Sequence, residues 1–190
     1  MGSVVSLKKP VPLVEAACVL AYRAHINQTR KDDDTPYFVH PCMVAMTLRM
    51  HGFSDEVVAA GFVHDVLEDT AVTQAELEAI VGMRVSQIVL EVTEDKTLIW
   101  EERKQKYIHQ VAGASGGAKA VSVADKIHNL ESLYAAYEVR GADVWGLFHR
   151  GKASKCWFER TLIEALQKTW SHPLLEEYVL LAERLETLDG

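Results

Sequence analysis

Cysteine is scarce in this chain. Cys18, Cys42 and Cys156 are its three, and no two of them form a CxxC pair. An odd, scattered set gives no disulfide framework and fits a reducing, cytoplasmic setting. Long apolar runs are missing too. No stretch approaches the roughly 20 consecutive apolar residues of a membrane span, and no charged-then-apolar leader opens the chain. The opening MGSVVS fits the short myristoylation pattern, which chance sequences often meet, so no membrane partner is expected. Positive charge is in deficit: 20 Lys and Arg against 27 Asp and Glu leave a net charge of −7, which disfavours nucleic acid as a partner. Strand signals are nearly absent, with no hairpin dipeptides and no sustained alternation.

What is present is helical periodicity. With 190 residues, 48% of them hydrophobic, the chain can bury a sizeable core as one domain, 1–190. LVEAACVLAYRAHI carries an apolar stripe of Leu13, Ala17, Leu20, Ala21 and Ala24. HPCMVAMTLRM reads as a helix with Pro41 in its first turn and Gly52 just past its end. Ser54 is placed to cap the next helix, and Thr73 with Glu76 has capping-box spacing. Further helices are expected at about 83–94, 100–111, 117–139 and 143–170, with a last one after Pro173. The expected fold is all-α, a globular multi-helix arrangement and not an up-down four-helix bundle. A motif-bearing core of about 12–140 would be completed by C-terminal helices at about 143–188. GASGGAK suggests a phosphate loop, but Ala118 and Ala120 flank its Lys119 where Gly and Ser or Thr are required; a flexible helix connection is the better reading.

The chemistry concentrates in GFVHDVLEDT, residues 61–70. Charges there need a partner, because burying an unpaired charge is costly. On one continuous helix Asp65, Glu68 and Asp69 share a face, whereas His64 and Asp65 diverge by about 100° and could meet one metal only in the groove between them. An isolated His-Asp pair is most simply a solvated face. Two other segments change that reading. PYFVHP offers His40 at the mouth of a helix, and VSVADKIHNL sets Asp125 among Val121, Val123, Ala124 and Ile127, with Asn129 one turn on. Two imidazoles and two carboxylates form a mixed N/O set suited to manganese, iron, cobalt or zinc, and less to calcium. Such an ion acidifies water and polarises a phosphoryl oxygen. Arg30 and Lys31 supply cations that can hold phosphate, although alone they read as a solvated loop beside Asp32, Asp33 and Asp34; Lys96 is a further candidate.

Four stretches, AHINQTRKDDDTPYFVHP, GFVHDVLEDT, EVTEDKTLIWEERK and AKAVSVADKIHNLESL, together resemble the HD superfamily of metal-dependent phosphohydrolases. Within it they are similar to the hydrolase domain of RelA/SpoT alarmone enzymes, and most to the stand-alone small alarmone hydrolases, including the metazoan SpoT homolog type. The resemblance spans roughly residues 20–133. It implies His40, His64, Asp65 and Asp125 as metal ligands and manganese as the usual ion. Glu68 and Asp69 match the acidic pair that positions or activates the attacking water. Arg30 and Lys31 match phosphate contacts, Asn129 a nucleotide contact, and Lys96 a lysine able to reach phosphate. The implied reaction removes the 3′-pyrophosphate of guanosine tetra- or pentaphosphate (ppGpp, pppGpp) to give GDP or GTP plus pyrophosphate. No synthetase domain is expected.

Beyond residue 140 the resemblance to alarmone hydrolases is lost, and DVWGLFHRGKASKCWFERTL is closer to other small HD proteins. Base recognition is therefore open. An adenine alarmone or the 2′-phosphate of NADPH would suit the same metal site, which acts on phosphorus and not on the base. A nucleotide sensor without turnover is the reading from another class, and the complete set of ligands and acidic residues argues against it. No GYP follows the HD pair, which sets aside the cyclic-dinucleotide branch. His25 is expected in a hydrogen-bonded support role and His128 beside the site or at the surface. Trp145 and Trp157 are expected in the core. His51, His109, His149 and His172 carry no spacing signal.

Overall fold

Helices account for nearly all the regular structure. The computed structural model describes residues 12–30 and 34–189. Lys31 and the MGSVVS segment lie outside the described residues. The elements are α1 (Leu13–Ala24), α2 (Val39–Met50), α3 (Asp55–Val63), α4 (Val66–Asp69), α5 (Gln74–Val92), α6 (Trp100–Gly113), α7 (Gly116–Arg140), a 3₁₀ segment (Gly141–Leu147), α8 (Gly151–Gln167) and α9 (Pro173–Thr187). Among the described residues the only β-type pairing is a single bridge, Thr29 with Pro36, which closes the loop before α2. The all-α expectation holds.

The molecule is organised around α7. Every residue from Ala118 to Ile127 is buried, so this helix is enclosed on all sides. Against it pack α2, α3, α5, α6 and α9. Its start is fixed by Ser115, whose Oγ accepts the N–H of Ala118. The glycine-rich stretch is a helix connection, as expected: Ala114 and Ser115 join α6 to α7, and Gly116 and Gly117 open the first turn of α7. Lys119 is buried and donates to the carbonyl of Thr169 at 3.3 Å, a structural role and not a phosphate ligand's.

Other starts and stops follow local chemistry. Thr73 and Glu76 form the full reciprocal capping box. Ser54 stands at the N-cap of α3 but makes no side-chain cap bond. The helix expected at 83–94 is the second part of α5, which is broken at Gly82 (φ 82°). The single helix expected over 143–170 is divided: the chain runs as a 3₁₀ segment to Leu147, and α8 begins at Gly151 with φ 67°. Glycine adopts that left-handed conformation without steric cost, so the turn is made there.

Gly61 positions the site. A Cβ at this residue would lie 2.6 Å from Leu48 Cδ1 and 3.3 Å from Ala45 Cα. The absence of a side chain lets α3 lie close on α2, which brings the start of α2 and the end of α3 to one corner.

Candidate metal centre and active site

Three different backbone devices bring the candidate ligands together. His40 sits in the first turn of α2. His64 and Asp65 occupy the break between α3 and α4, where His64 ends one helix and Asp65 (φ −92°, ψ −5°) opens the next. Despite the divergence of about 100° expected for neighbours on a helix, the two side chains meet at this break: His64 Nε2 lies 3.1 Å from Asp65 Oδ2. Asp125 comes from the buried middle of α7. Its Oδ1 is 3.1 Å from His40 Nε2 and 3.7 Å from His64 Nε2, while His40 Nε2 is 3.5 Å from Asp65 Oδ2. Donor atoms of His40, His64 and Asp65 all lie within 4.8 Å of one another.

These residues fit a cation. His64 Nδ1 is 2.9 Å from the carbonyl of Gly61, so this nitrogen carries the proton and Nε2 presents its lone pair to the cluster. That Nε2 is buried and has no hydrogen-bond partner. Lone pairs of two imidazoles and two carboxylates pointing at one spot repel unless a positive charge is placed between them. Without one, the cluster can only balance itself by protonation. Burial opposes a charge on His64, but Asp65 and Asp125 overcome it and raise its pKa well above the usual imidazole value. Burial likewise opposes ionisation of the two carboxylates. His64 and His40 nonetheless lower Asp65 below the usual range, and Lys126 with the two histidines does the same for Asp125.

A surrounding set fixes the ligands. Tyr37 Oη donates to Asp65 Oδ2 at 2.6 Å. Asn129 Nδ2 donates to Asp125 Oδ1 at 2.6 Å, and Lys126 Nζ to Asp125 Oδ2 at 2.5 Å. His40 Nδ1 is 2.7 Å from His128 Nδ1, and burial together with His40 and Arg30 lowers the His128 pKa to about 4. His128 thus touches the candidate ligand His40 directly, whereas His25 stands one step further out, 2.7 Å from Gln28 and against the ring of Tyr37. Sequence reasoning missed Tyr37 and Lys126. Both stood in the quoted motifs, but nothing in their spacing distinguishes them from core and surface residues.

Beside this centre lie Glu68, Asp69 and Lys96. Glu68 accepts the backbone N–H of Glu94 at 2.6 Å, and Lys96 pairs with Asp69 and stands 3.7 Å from Glu68. Burial, and then the charges of Asp65 and Glu94, raise the Glu68 pKa above the ordinary carboxylate value. Asp69 lines the cavity that contains the centre. Arg30 lines it too, with Nη2 3.3 Å from Asn129 Oδ1 and its guanidinium over the Tyr37 ring at 5.9 Å.

The cavity holds about 910 Å³. It runs from this corner to a wall made by α6, the 3₁₀ segment and α8, where Arg103, Lys104, Arg150, Lys155 and Phe158 face it. Trp145 is buried as expected, its Nε1 donating to the carbonyl of Asp189 at 2.8 Å. Trp157 is not a core residue. It is 37% exposed and rests on Trp100, which lines the cavity. His149, without a spacing signal, also reaches the cavity.

The chain matches the HD domain family over residues 17–145. It is 45% identical over 124 residues to guanosine-3′,5′-bis(diphosphate) 3′-pyrophosphohydrolase MESH1 of Mus musculus, covering 64% of this chain and 69% of that one. The Homo sapiens counterpart is 46% identical over the same shares. Among solved structures, lmo0812 from Listeria monocytogenes EGD-e superimposes with a TM-score of 0.73 at 39% identity, covering 77% of this chain and 97% of that one. A metazoan ortholog of SpoT that hydrolyzes ppGpp superimposes with a TM-score of 0.79 at 27% identity, covering 94% and 98%. With most of its length matched, and its paired histidines and aspartates drawn to one buried corner, this chain belongs to the HD-domain family of metal-dependent phosphohydrolases.

Proposed function

We propose that this protein removes the 3′-pyrophosphate of guanosine tetra- or pentaphosphate, using a divalent metal held by His40, His64, Asp65 and Asp125. The observation that carries the reading is the convergence of His40, His64 and Asp65, with Asp125 beside both histidines, at a cavity with cationic walls, in a chain 45% identical to a 3′-pyrophosphohydrolase of that alarmone. Manganese suits the mixed N/O donors. When bound, the ion acidifies water and polarises a phosphoryl oxygen.

The chain's own residues do the rest. A water oxygen bonds to the phosphorus carried by the ribose 3′-oxygen, the bond from that phosphorus to the 3′-oxygen breaks, and a 3′-hydroxyl and pyrophosphate result. Glu68 and Asp69 orient the water and accept its proton, a task favoured by the raised Glu68 pKa. Arg30, with Lys31 and Lys96, neutralises charge developing on the phosphate oxygens. Asn129 orients both Asp125 and the Arg30 guanidinium and is placed to meet the nucleotide. Tyr37 keeps Asp65 in one orientation. No helix among the described residues is long and apolar enough to cross a membrane, and the three cysteines are free, consistent with work in the cytoplasm.

The cavity wall beyond residue 145 lies outside the matched family segment, so base preference needs its own test. Product analysis with added manganese on guanosine tetraphosphate, its adenosine counterpart and NADPH checks the reading, with Asp125→Ala as the blank. GDP and pyrophosphate in equal amounts, absent in the variant, are expected. Inorganic phosphate from NADPH alone would overturn the alarmone reading.

A further inference from the structure

The metal corner accounts for only part of the cavity. The wall formed by α6 and α8 is cationic in an otherwise acidic protein, and one of its cations is held in an unusual way. Lys155 pairs with Glu159, which is 1% exposed and also accepts the hydroxyl of Tyr178, a fully buried residue of α9. Glu159 is buried while Lys155 is half-buried at the cavity, and such a pair adds little stability over apolar residues of similar size, because desolvation offsets the attraction. The arrangement is explained if the ammonium is fixed for something in the cavity. An ammonium has three N–H donors, and Glu159 occupies one.

Lys104 approaches the same place from α6. It pairs with Glu94 at 2.5 Å and lies 4.7 Å from the Phe158 ring. Phe158 is three residues after Lys155 on α8, hence on the same face. Lys104, Lys155 and Phe158 all line the cavity that also contains the metal corner. Lys155, Glu159 and Tyr178 lie beyond residue 145, where the family match ends.

We propose that Lys155, positioned by Glu159 and Tyr178 and acting with Lys104, forms a second phosphate subsite that receives the 5′-diphosphate of the substrate. This rests on the function proposed above. A nucleotide carrying diphosphates at both ends of its ribose needs positive charge at two places in one cavity, and the metal corner supplies the first. The subsite makes turnover efficient only for nucleotides phosphorylated at the 5′ position.

The test compares guanosine tetraphosphate with guanosine 3′-diphosphate, whose 5′ position is a free hydroxyl, in steady-state assays with manganese. Lys155→Met is expected to raise KM for the tetraphosphate about tenfold, with kcat changed less than about twofold and the KM of the 5′-hydroxyl compound unmoved. Tyr178→Phe, which loosens Glu159, should give a smaller rise on the tetraphosphate alone, and Lys155→Arg should recover part of the loss. Equal KM changes on both substrates, or none on either, would overturn the subsite. If Lys155→Met does not fold because Glu159 is left unpaired, the double variant K155M/E159Q removes both charges and is read by the same comparison. Hydrolysis of neither substrate by the unmodified enzyme would refute the functional reading before any variant is compared, and the subsite with it.

Discussion

The metal corner and the α6–α8 wall are two ways of building a polar site in a helical protein. In the corner, the backbone does the placing. A helix start presents His40, a helix break presents His64 and Asp65, and a helix buried on all sides presents Asp125. In the wall, long side chains are steered by carboxylates: Lys104 on α6 by Glu94, Lys155 on α8 by Glu159, and Arg150, in the turn just before α8, by Glu101. The corner gains accuracy from short, rigid side chains. The wall keeps reach and adjustability, which suit a flexible phosphate chain better than a metal.

The difference is sharpest when the corner loses one ligand. If Asp125 is the ligand proposed above, Asp125→Asn should lower turnover on the order of 10³-fold or more, through loss of one donor charge at the ion. Pyrophosphate release over a range of manganese concentrations checks this. Chelation of the unmodified enzyme should give the same loss, reversed by added manganese. A wall variant that matched this loss would break the distinction.

Glu68 stands between the two regimes, being half-buried and outside the proposed ligand set. Glu68→Gln should reduce kcat about 10²-fold, within the range of lost general-base catalysis. Its pKa is raised by burial and by Asp65, so the active carboxylate form is lost as pH falls through a value above the ordinary carboxylate range of about 4.3. The acid limb of kcat against pH should therefore lie above that range in the unmodified enzyme and vanish in Glu68→Gln. An unchanged limb would assign the titration elsewhere.

Tyr37→Phe is a gentler probe. It removes the hydrogen bond to Asp65 and leaves the ring against His25. Metal affinity should weaken about tenfold with kcat at saturating metal nearly kept. Metal titration followed by thermal shift separates the two, because a bound ion adds stability according to its Kd.

The corner was legible in the sequence because its residues are unlike their surroundings. Asp125 amid Val121, Val123, Ala124 and Ile127 is conspicuous, and so is His64-Asp65 in an apolar run. The helix break at those two residues was not legible, since nothing in VHDVLED interrupts helical propensity; tertiary packing imposes it. The wall was harder to read. Lys104, Lys155 and Arg150 are ordinary surface residues by composition, and only the fold shows that they face a common cavity. The same reasoning explains the division at 148–150, where HRG offered a glycine but no proline or cap to announce the end of a helix.

Two glycines carry the comparison to its smallest scale. At Gly61 a methyl group would meet Leu48 Cδ1 and the backbone of Ala45, so α2 and α3 must separate by a few tenths of an ångström. Such overpacking costs about 1–3 kcal/mol. Because His40 and His64 sit on those two helices, the manganese-induced rise in Tm should shrink along with Tm itself. At Gly151 a methyl group meets nothing within 4 Å, and the penalty is only that of a left-handed backbone at φ 67°. That is about 1 kcal/mol, and the manganese-induced rise should be untouched. Thermal unfolding of Gly61→Ala and Gly151→Ala, each with and without manganese, measures both. Equal loss of the metal-induced rise in the two variants would mean that the α8 junction supports the ligands as directly as the α2–α3 crossing does. A loss confined to Gly61→Ala would show that the corner depends on backbone contact at a single crossing, while the wall can shift without disturbing it.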